Sequence, residues 1–305
     1  MSLLRNLLGK KTKIKFFTTP SHSGKLAITH KFYQFYKSDI SETDFHNPQD
    51  ALLNSEKNTS KIYGSKKTKY LTNGSTSGII ASVLACINKG EKVLIWKNSH
   101  PCHRNAVELA GGEIIEYDLP IIEDWGIPDK TTSCIIEEGL KQGAKAVIIT
   151  SPSYYGVVSD IKTLTELCHK YNAYLIVDEA HGALYPFSDA LPESAVKIAD
   201  FTVQSLHKTA GGLNPTALLH TNTELDVDKA LAKINTTSPS YPLLATIEEN
   251  IHYLNSKKGR KKISELIKQI SEFKQQCPNI EFFNGDPTKI LIKKGELSGF
   301  ELSEK

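Results

Sequence analysis

Between residues 66 and 240, short β-rich runs alternate with longer helical patterns, and this alternation constrains the fold more than any other feature of the chain. The candidate strands are Lys69–Thr72, Lys92–Lys97, Glu113–Tyr117, Lys145–Thr150, Tyr174–Asp178, Phe201–Gln204 and Thr216–His220. Several are nearly continuous apolar runs, as expected where helices cover both faces of a parallel sheet. Between them lie helical patterns at Ser77–Asn88, Cys102–Ala110, Thr131–Gln142 and Ile161–Tyr171. The pattern predicts an α/β domain with a largely parallel sheet. At 39% apolar residues the chain can bury a large core.

The flanks read differently. Residues 1–65 look helical and loopy, with Lys25–Lys37 the best helix. Residues 241–305 are helical around Tyr241–Asn255 and Arg260–Gln276, then carry two short strand patterns, Ile280–Phe283 and Lys289–Ile292. That order resembles the opening of a small α+β domain, incomplete here. Net charge is only +3, and the basic bias of residues 1–70 (13 Lys/Arg against 5 Asp/Glu) reads as a solvated face. No nucleic-acid partner is expected. The five cysteines are scattered with no C-x-x-C pair, so neither a zinc site nor a disulfide framework is expected, and a reducing cytoplasm fits. The longest apolar run, near Gly78–Ile87, is too short to cross a bilayer, and no membrane partner is expected.

Ligands of parallel α/β sheets collect at the carboxyl ends of the strands, so the residues there carry the functional reading. After the first strand comes Thr72-Asn-Gly-Ser-Thr-Ser-Gly78 leading into a helix, a turn whose hydroxyls and free N–H groups suit a phosphate, or serve as a plain helix cap. After the second comes Asn98-Ser-His-Pro-Cys-His-Arg104, with two histidines that suit an acid–base group or a ring packed on an aromatic cofactor. No carboxylate is spaced to complete a metal set with them. The fourth strand leads into Ser151-Pro-Ser-Tyr-Tyr-Gly156, and the fifth into Val177-Asp-Glu-Ala-His-Gly182. An aspartate at the mouth of a buried strand requires a cationic partner. The run Asp178-Glu-Ala-His181 also occurs in helicase nucleotide sites, but no G-x-x-x-x-G-K-[ST] loop accompanies it. The sixth strand ends in Gln204-Ser-Leu-His-Lys-Thr-Ala-Gly-Gly212, where a lysine sits between hydroxyl donors and a flexible Gly-Gly. Low-dielectric surroundings make such an amine nucleophilic. In this order the segments meet the needs of pyridoxal phosphate: an anion cradle, a stacking ring, a carboxylate for the pyridine nitrogen and a Schiff-base lysine.

From about Phe17 to Gly299 the sequence resembles the Orn/Lys/Arg decarboxylases, fold type I pyridoxal-phosphate enzymes, most clearly at Thr72–Gly78, Ser151–Asp160, Val177–Ala183, Ser205–Thr209 and Thr236–Leu244. The resemblance implies a three-layer α/β/α fold with a mostly parallel sheet of about seven strands. It implies pyridoxal 5'-phosphate as cofactor, with catalytic roles for Lys208, Asp178 and His103. Lys208 would carry the coenzyme, Asp178 would hold the pyridine nitrogen protonated, and His103 would stack on the ring. Ser75, Thr76 and Ser77 would cradle the phosphate with Ser205 and His207, while Ala180 and His181 would line the inner face. The implied activity is decarboxylation of a basic amino acid (arginine, lysine or ornithine) to an amine of polyamine metabolism. A homodimer or higher oligomer is implied, in which Thr237 and Ser238 reach a neighbour's phosphate. The acidic partner for the substrate's distal cation is left open among Glu42, Asp44, Asp124 and Glu179.

Only three arginines exist (Arg5, Arg104, Arg260), in keeping with a substrate carboxylate that must depart rather than be clamped. The sequence departs from the family pattern at Pro20-Ser-His-Ser23, where Pro-Gly-His-Lys is usual. It departs again at Leu184, where a histidine is usual, and at Ala210–Pro215. With the α+β domain incomplete, apolar faces of Ile280–Ile292 are expected to drive association. The alternative expectation is a catalytically weak homologue acting as a cofactor-binding or regulatory subunit.

Overall fold

A computed structural model describes residues 45–49, 51–295 and 297–304. The expected helix Lys25–Lys37, His22 and two of the candidate acids, Glu42 and Asp44, lie outside the described residues. Helix α1 (Ala51–Tyr63) precedes β1 (Lys67–Leu71), α2 (Gly74–Cys86), β2 (Lys92–Trp96), α3 (Pro101–Ala110) and β3 (Glu113–Tyr117). A two-stranded hairpin, β4 (Ile121–Ile122) and β5 (Ile127–Pro128), leads to α4 (Ser133–Lys141), β6 (Ala144–Thr150), α5 (Ile161–Lys170) and β7 (Tyr174–Asp178). Then follow β8 (Phe201–Ser205), the short α6 (Leu206–Thr209), β9 (Ala217–Thr221) and α7 (Val227–Leu231). The chain continues through α8 (Tyr241–Asn255), α9 (Lys257–Gln276), β10 (Glu281–Phe282), β11 (Ile292–Lys293) and α10 (Gly299–Glu304).

The expected seven-stranded sheet is present, in the order β1-β9-β8-β7-β6-β2-β3. Neighbours from β8 to β3 are parallel, whereas β9 runs antiparallel to both β8 and β1. Strand residues divide between two cores with period two, as a sheet covered on both faces requires. Val93, Ile95, Ala146, Ile148 and Ile176 join the layer of α2, α3 and α7. Leu94, Val147, Ile149, Leu175 and Val177 face the opposite layer, with Ile136 and Leu140 of α4 and Leu164 of α5. A third cluster packs Leu52 of α1 with Leu244, Ile247 and Ile251 of α8 and Ile263 of α9 against Tyr70 and Leu218.

Helix α2 lies unusually close to the sheet, because a Cβ at Gly78 would stand 2.7 Å from Val203 Cγ1 and 2.8 Å from Leu71 Cδ1. Glycine therefore lets the first turn of α2 reach the strand ends. The strand expected at Lys289–Ile292 begins three residues later, as β11, which pairs antiparallel with β10. A hook precedes it: the N–H and hydroxyl of Thr288 donate to Asp286 Oδ1 at 2.8 and 2.7 Å, and the Lys289 N–H donates to Asp286 O at 3.0 Å. No helix of the described residues is long and apolar enough to cross a membrane.

Candidate active site

The carboxyl ends of β6, β7 and β8 open onto one cavity of about 300 Å³, lined by Thr150, Asp178, Ala180, His181 and Lys208, with His100 from the β2–α3 junction. Lys208 lies in α6, directly beyond the fully buried Ser205 at the end of β8. Asp178, at the end of β7, is 6% exposed. Its Oδ1 accepts the Ala180 N–H at 3.1 Å, and its Oδ2 lies 3.0 Å from Nε2 of His103. Burial alone would raise the pKa of Asp178. The His103 hydrogen bond and charge, the Lys208 ammonium and the Ala180 N–H outweigh it and hold the carboxyl below its ordinary range. A buried, ionised carboxylate thus faces the same space as the lysine amine.

His103 itself is not at the cavity wall. It is fully buried on α3, so the stacking role expected for it has no exposed ring face to act through. Helix phase explains this: Pro101 is the first residue of α3, and His103, Ala106 and Val107 form its inward face. His100 is the N-cap, its Nδ1 accepting the Cys102 N–H at 3.2 Å, and its ring lines the cavity. Burial holds His100 below its usual pKa, with Lys208 and His103 acting the same way and Asp178 opposing. Cys102, His103 and Asp178 bring their ligand atoms within 4.8 Å of one another. They form a hydrogen-bonded pair beside a neutral thiol, since burial pushes Cys102 up to about 12.

His181 lies edge-on to Tyr154, ring centroids 5.6 Å apart. Burial, followed by the charges of Lys289 and Lys208, pushes it down to about 3, so its imidazole is neutral. Lys289 is a residue the sequence reading missed as a site neighbour. Its own pKa is lowered by burial and by Lys208, against Asp286. The hook that carries it is fastened to the wall of the site, with the Asp286 N–H donating to Gly156 O at 2.9 Å and the Tyr185 hydroxyl to Asp286 Oδ2 at 2.8 Å.

The residues expected at the phosphate sit apart from the cavity wall. Ser75, Thr76 and Ser77 form the first turn of α2, where the Asn73 side chain leaves the N–H groups uncapped. The Ser77 hydroxyl turns inward to donate to Gly74 O at 2.8 Å, which makes it a poorer donor to an anion than its neighbours. His207 spends Nδ1 on Thr216 O at 3.1 Å, while burial and Lys208 lower its pKa against that bond. Near Lys208, the buried hydroxyls of Ser205 and Thr209 have no hydrogen-bond partner. Orphaned buried donors of this kind fit an anionic group at that end of the sheet. Thr237 and Ser238 are exposed and away from the cavity.

Two candidate acids are displaced from the role considered for them. Glu179 is 1% exposed and points away from the cavity, accepting hydrogen bonds from Ser194, the Ala195 N–H and Gln204. Asp124 is exposed in the β4–β5 turn and does not line the cavity. Asp129, two residues past Ile127, does.

The model of the Orn/Lys/Arg decarboxylase major domain matches residues 9–297. The chain belongs to the Orn/Lys/Arg decarboxylase family. Within it, the uncharacterized Bacillus subtilis protein YaaO is 30% identical over 279 residues, covering 85% of this chain and 58% of YaaO. The arginine decarboxylase of the same organism is 27% identical over 306 residues, covering 90% of this chain and 62% of that protein. This family member therefore spans roughly three-fifths of the length of those relatives. The solved structure of lysine decarboxylase A from Pseudomonas aeruginosa superposes with a TM-score of 0.72 at 17% identity, over 91% of this chain and 42% of that one. The fold is that of the fold type I pyridoxal-phosphate enzymes.

Proposed function

We propose that this chain binds pyridoxal 5'-phosphate at Lys208 and decarboxylates a basic amino acid, arginine, lysine or ornithine, to the corresponding amine. The observation that carries this reading is the sharing of one cavity by the Lys208 amine and the ionised carboxylate of Asp178. The residues present fit the group: a carboxylate for the ring nitrogen, an imidazole at the mouth and unpartnered hydroxyls beside the lysine. Bound there, the coenzyme supplies a conjugated ring that accepts the electron pair released when a bond to Cα breaks.

The chain's own residues set the conditions for that chemistry. Asp178 would hold a proton on the ring nitrogen, and His103 behind it fixes which way the carboxylate points. His100, which lines the cavity with Ala180, would take the stacking role in place of His103. Ser75, Thr76, Ser77, Ser205 and His207 would hold the phosphate beyond the cavity wall, with Ser77 the weaker donor because its hydroxyl is spent on Gly74 O. The neutral imidazole of His181 is a hydrogen-bonding group that adds no cation beside Lys208 and Lys289. The apolar lining of the cavity excludes water and strengthens the field of Asp178.

A homodimer or larger oligomer, with Thr237 and Ser238 at a neighbour's phosphate, belongs to the same proposal. The exposed Leu266, Phe273, Ile290 and Ile292 supply apolar surface for it. The reading further places the product amine in polyamine metabolism and the protein in a reducing cytoplasm, in keeping with its unpaired cysteines. The deciding assay supplies arginine, lysine and ornithine to the full chain with added pyridoxal phosphate and measures carbon dioxide and amine. Stoichiometric release from at least one of them is expected; cofactor bound without turnover on any would replace decarboxylation by the regulatory-subunit reading.

A further inference from the structure

Asp129 joins Asp178 as an acidic side chain on the wall of the cavity among the described residues. It follows β5, in a hairpin off the main sheet, and its backbone is fixed on both sides. The Asp129 N–H donates to Pro120 O at 2.8 Å, and the Thr131 N–H to Ser159 Oγ at 3.1 Å. Asp129 Oδ1 accepts the backbone N–H of Lys130 at 2.7 Å. Among the described residues no ammonium or guanidinium lies within ion-pair distance of its carboxylate. Even the Lys130 side chain, on the same cavity wall, does not pair with it. Beside it the wall is Trp96, Tyr117, Leu119 and Pro128.

A carboxylate held rigidly on an apolar wall without a counter-ion is poised for a cation that arrives with a ligand. The neighbouring rings and aliphatic groups match a chain of methylenes. The Lys208 amine in the same cavity fixes where the other end of that ligand must be. We infer that Asp129 receives the distal cation of the substrate side chain and so sets the preference for basic over neutral amino acids. This inference rests on the proposed decarboxylase reading and names the residue that would give it its substrate class.

The test uses the full chain loaded with pyridoxal phosphate and reads binding of lysine, ornithine, arginine and the uncharged lysine analogue norleucine from the rapid change in cofactor absorbance on mixing, before turnover. Wild type is expected to prefer at least one basic amino acid to norleucine. Asp129→Asn is expected to reduce that preference about tenfold or more, the worth of a charge-assisted hydrogen bond, with norleucine affinity within about twofold. Asp129→Glu, which keeps the charge, is expected to restore part of it, and norleucine binding reports in each variant that the site has folded. An unchanged preference in Asp129→Asn overturns the inference and leaves the decarboxylase reading standing. Wild type that binds norleucine as well as lysine, ornithine and arginine, or that binds none of them, overturns the inference and the basic-substrate reading together.

Discussion

Replacing Glu179 by glutamine removes a carboxylate that lies 1% exposed behind the site without emptying its space. Burial pushes Glu179 up to about 7, against the hydrogen bonds from Ser194, the Ala195 N–H and Gln204. An unfolded glutamate titrates near about 4.3. Between those values the folded chain holds a proton that the unfolded chain has released. Its contribution to stability is therefore complete below about pH 4 and is lost as pH rises through 7. At about 1.4 kcal/mol per pH unit of displacement, the full loss is about 4 kcal/mol, of which about 3 kcal/mol falls between pH 4.5 and 8. The neutral acid has a further reason to persist: Gln204 Oε1 is buried without a donor, and a protonated carboxyl can supply one. Glutamine at this position is permanently neutral and has an N–H₂ of its own. Urea unfolding at intervals from pH 4.5 to 8 should show the wild-type free energy falling with pH more steeply than that of Glu179→Gln, the two curves diverging by about 3 kcal/mol. Parallel curves would refute the reasoning, because every other titrating group is common to both proteins.

His103→Leu removes the hydrogen bond that orients Asp178 and opposes its burial. The Asp178 carboxyl should then titrate higher than in wild type, because burial is left less opposed, and affinity for pyridoxal phosphate should fall about tenfold near neutral pH. In wild type, by contrast, affinity should hold to below the usual carboxylate range; a fluorescence titration at several pH values reads both. Gly78→Ala forces a methyl group against Val203 and Leu71, whose side chains belong to strands on either side of β9. A cost of about 1–3 kcal/mol is expected, seen as a lower urea midpoint at unchanged slope.

The main sheet was legible because β2, β6 and β7 are apolar on both faces, which few other arrangements tolerate, and the residues after β7 and β8 follow from the strand ends. Asp178 and Lys208 therefore come together as the sequence implies. The two histidines were harder. They are three residues apart at a strand–helix junction, and which one meets the cavity depends on where the helix begins. Pro101 marks that point, since proline favours the first helical position, and counting from it puts His103 inward with Ala106 and Val107. Asp129 was missed for a different reason. Strands β4 and β5 have two residues each, too short to give a periodic pattern, so nothing in the sequence says that their hairpin folds over the strand ends. Lys289 was likewise hidden, because its place depends on the contacts of Asp286 with Gly156 and Tyr185, which lie 130 and 101 residues earlier in the chain and meet it only through the fold.

The covalent claim about Lys208 can be read directly. The full chain is incubated with pyridoxal phosphate, reduced with borohydride, digested, and searched by mass spectrometry for a pyridoxyl-phosphate group on lysine. The group is expected on the peptide that contains Lys208 and absent from Lys208→Ala, whose absorbance band from bound cofactor is lost with it. A group carried on another lysine, or equal labelling of wild type and Lys208→Ala, would contradict the assignment of Lys208.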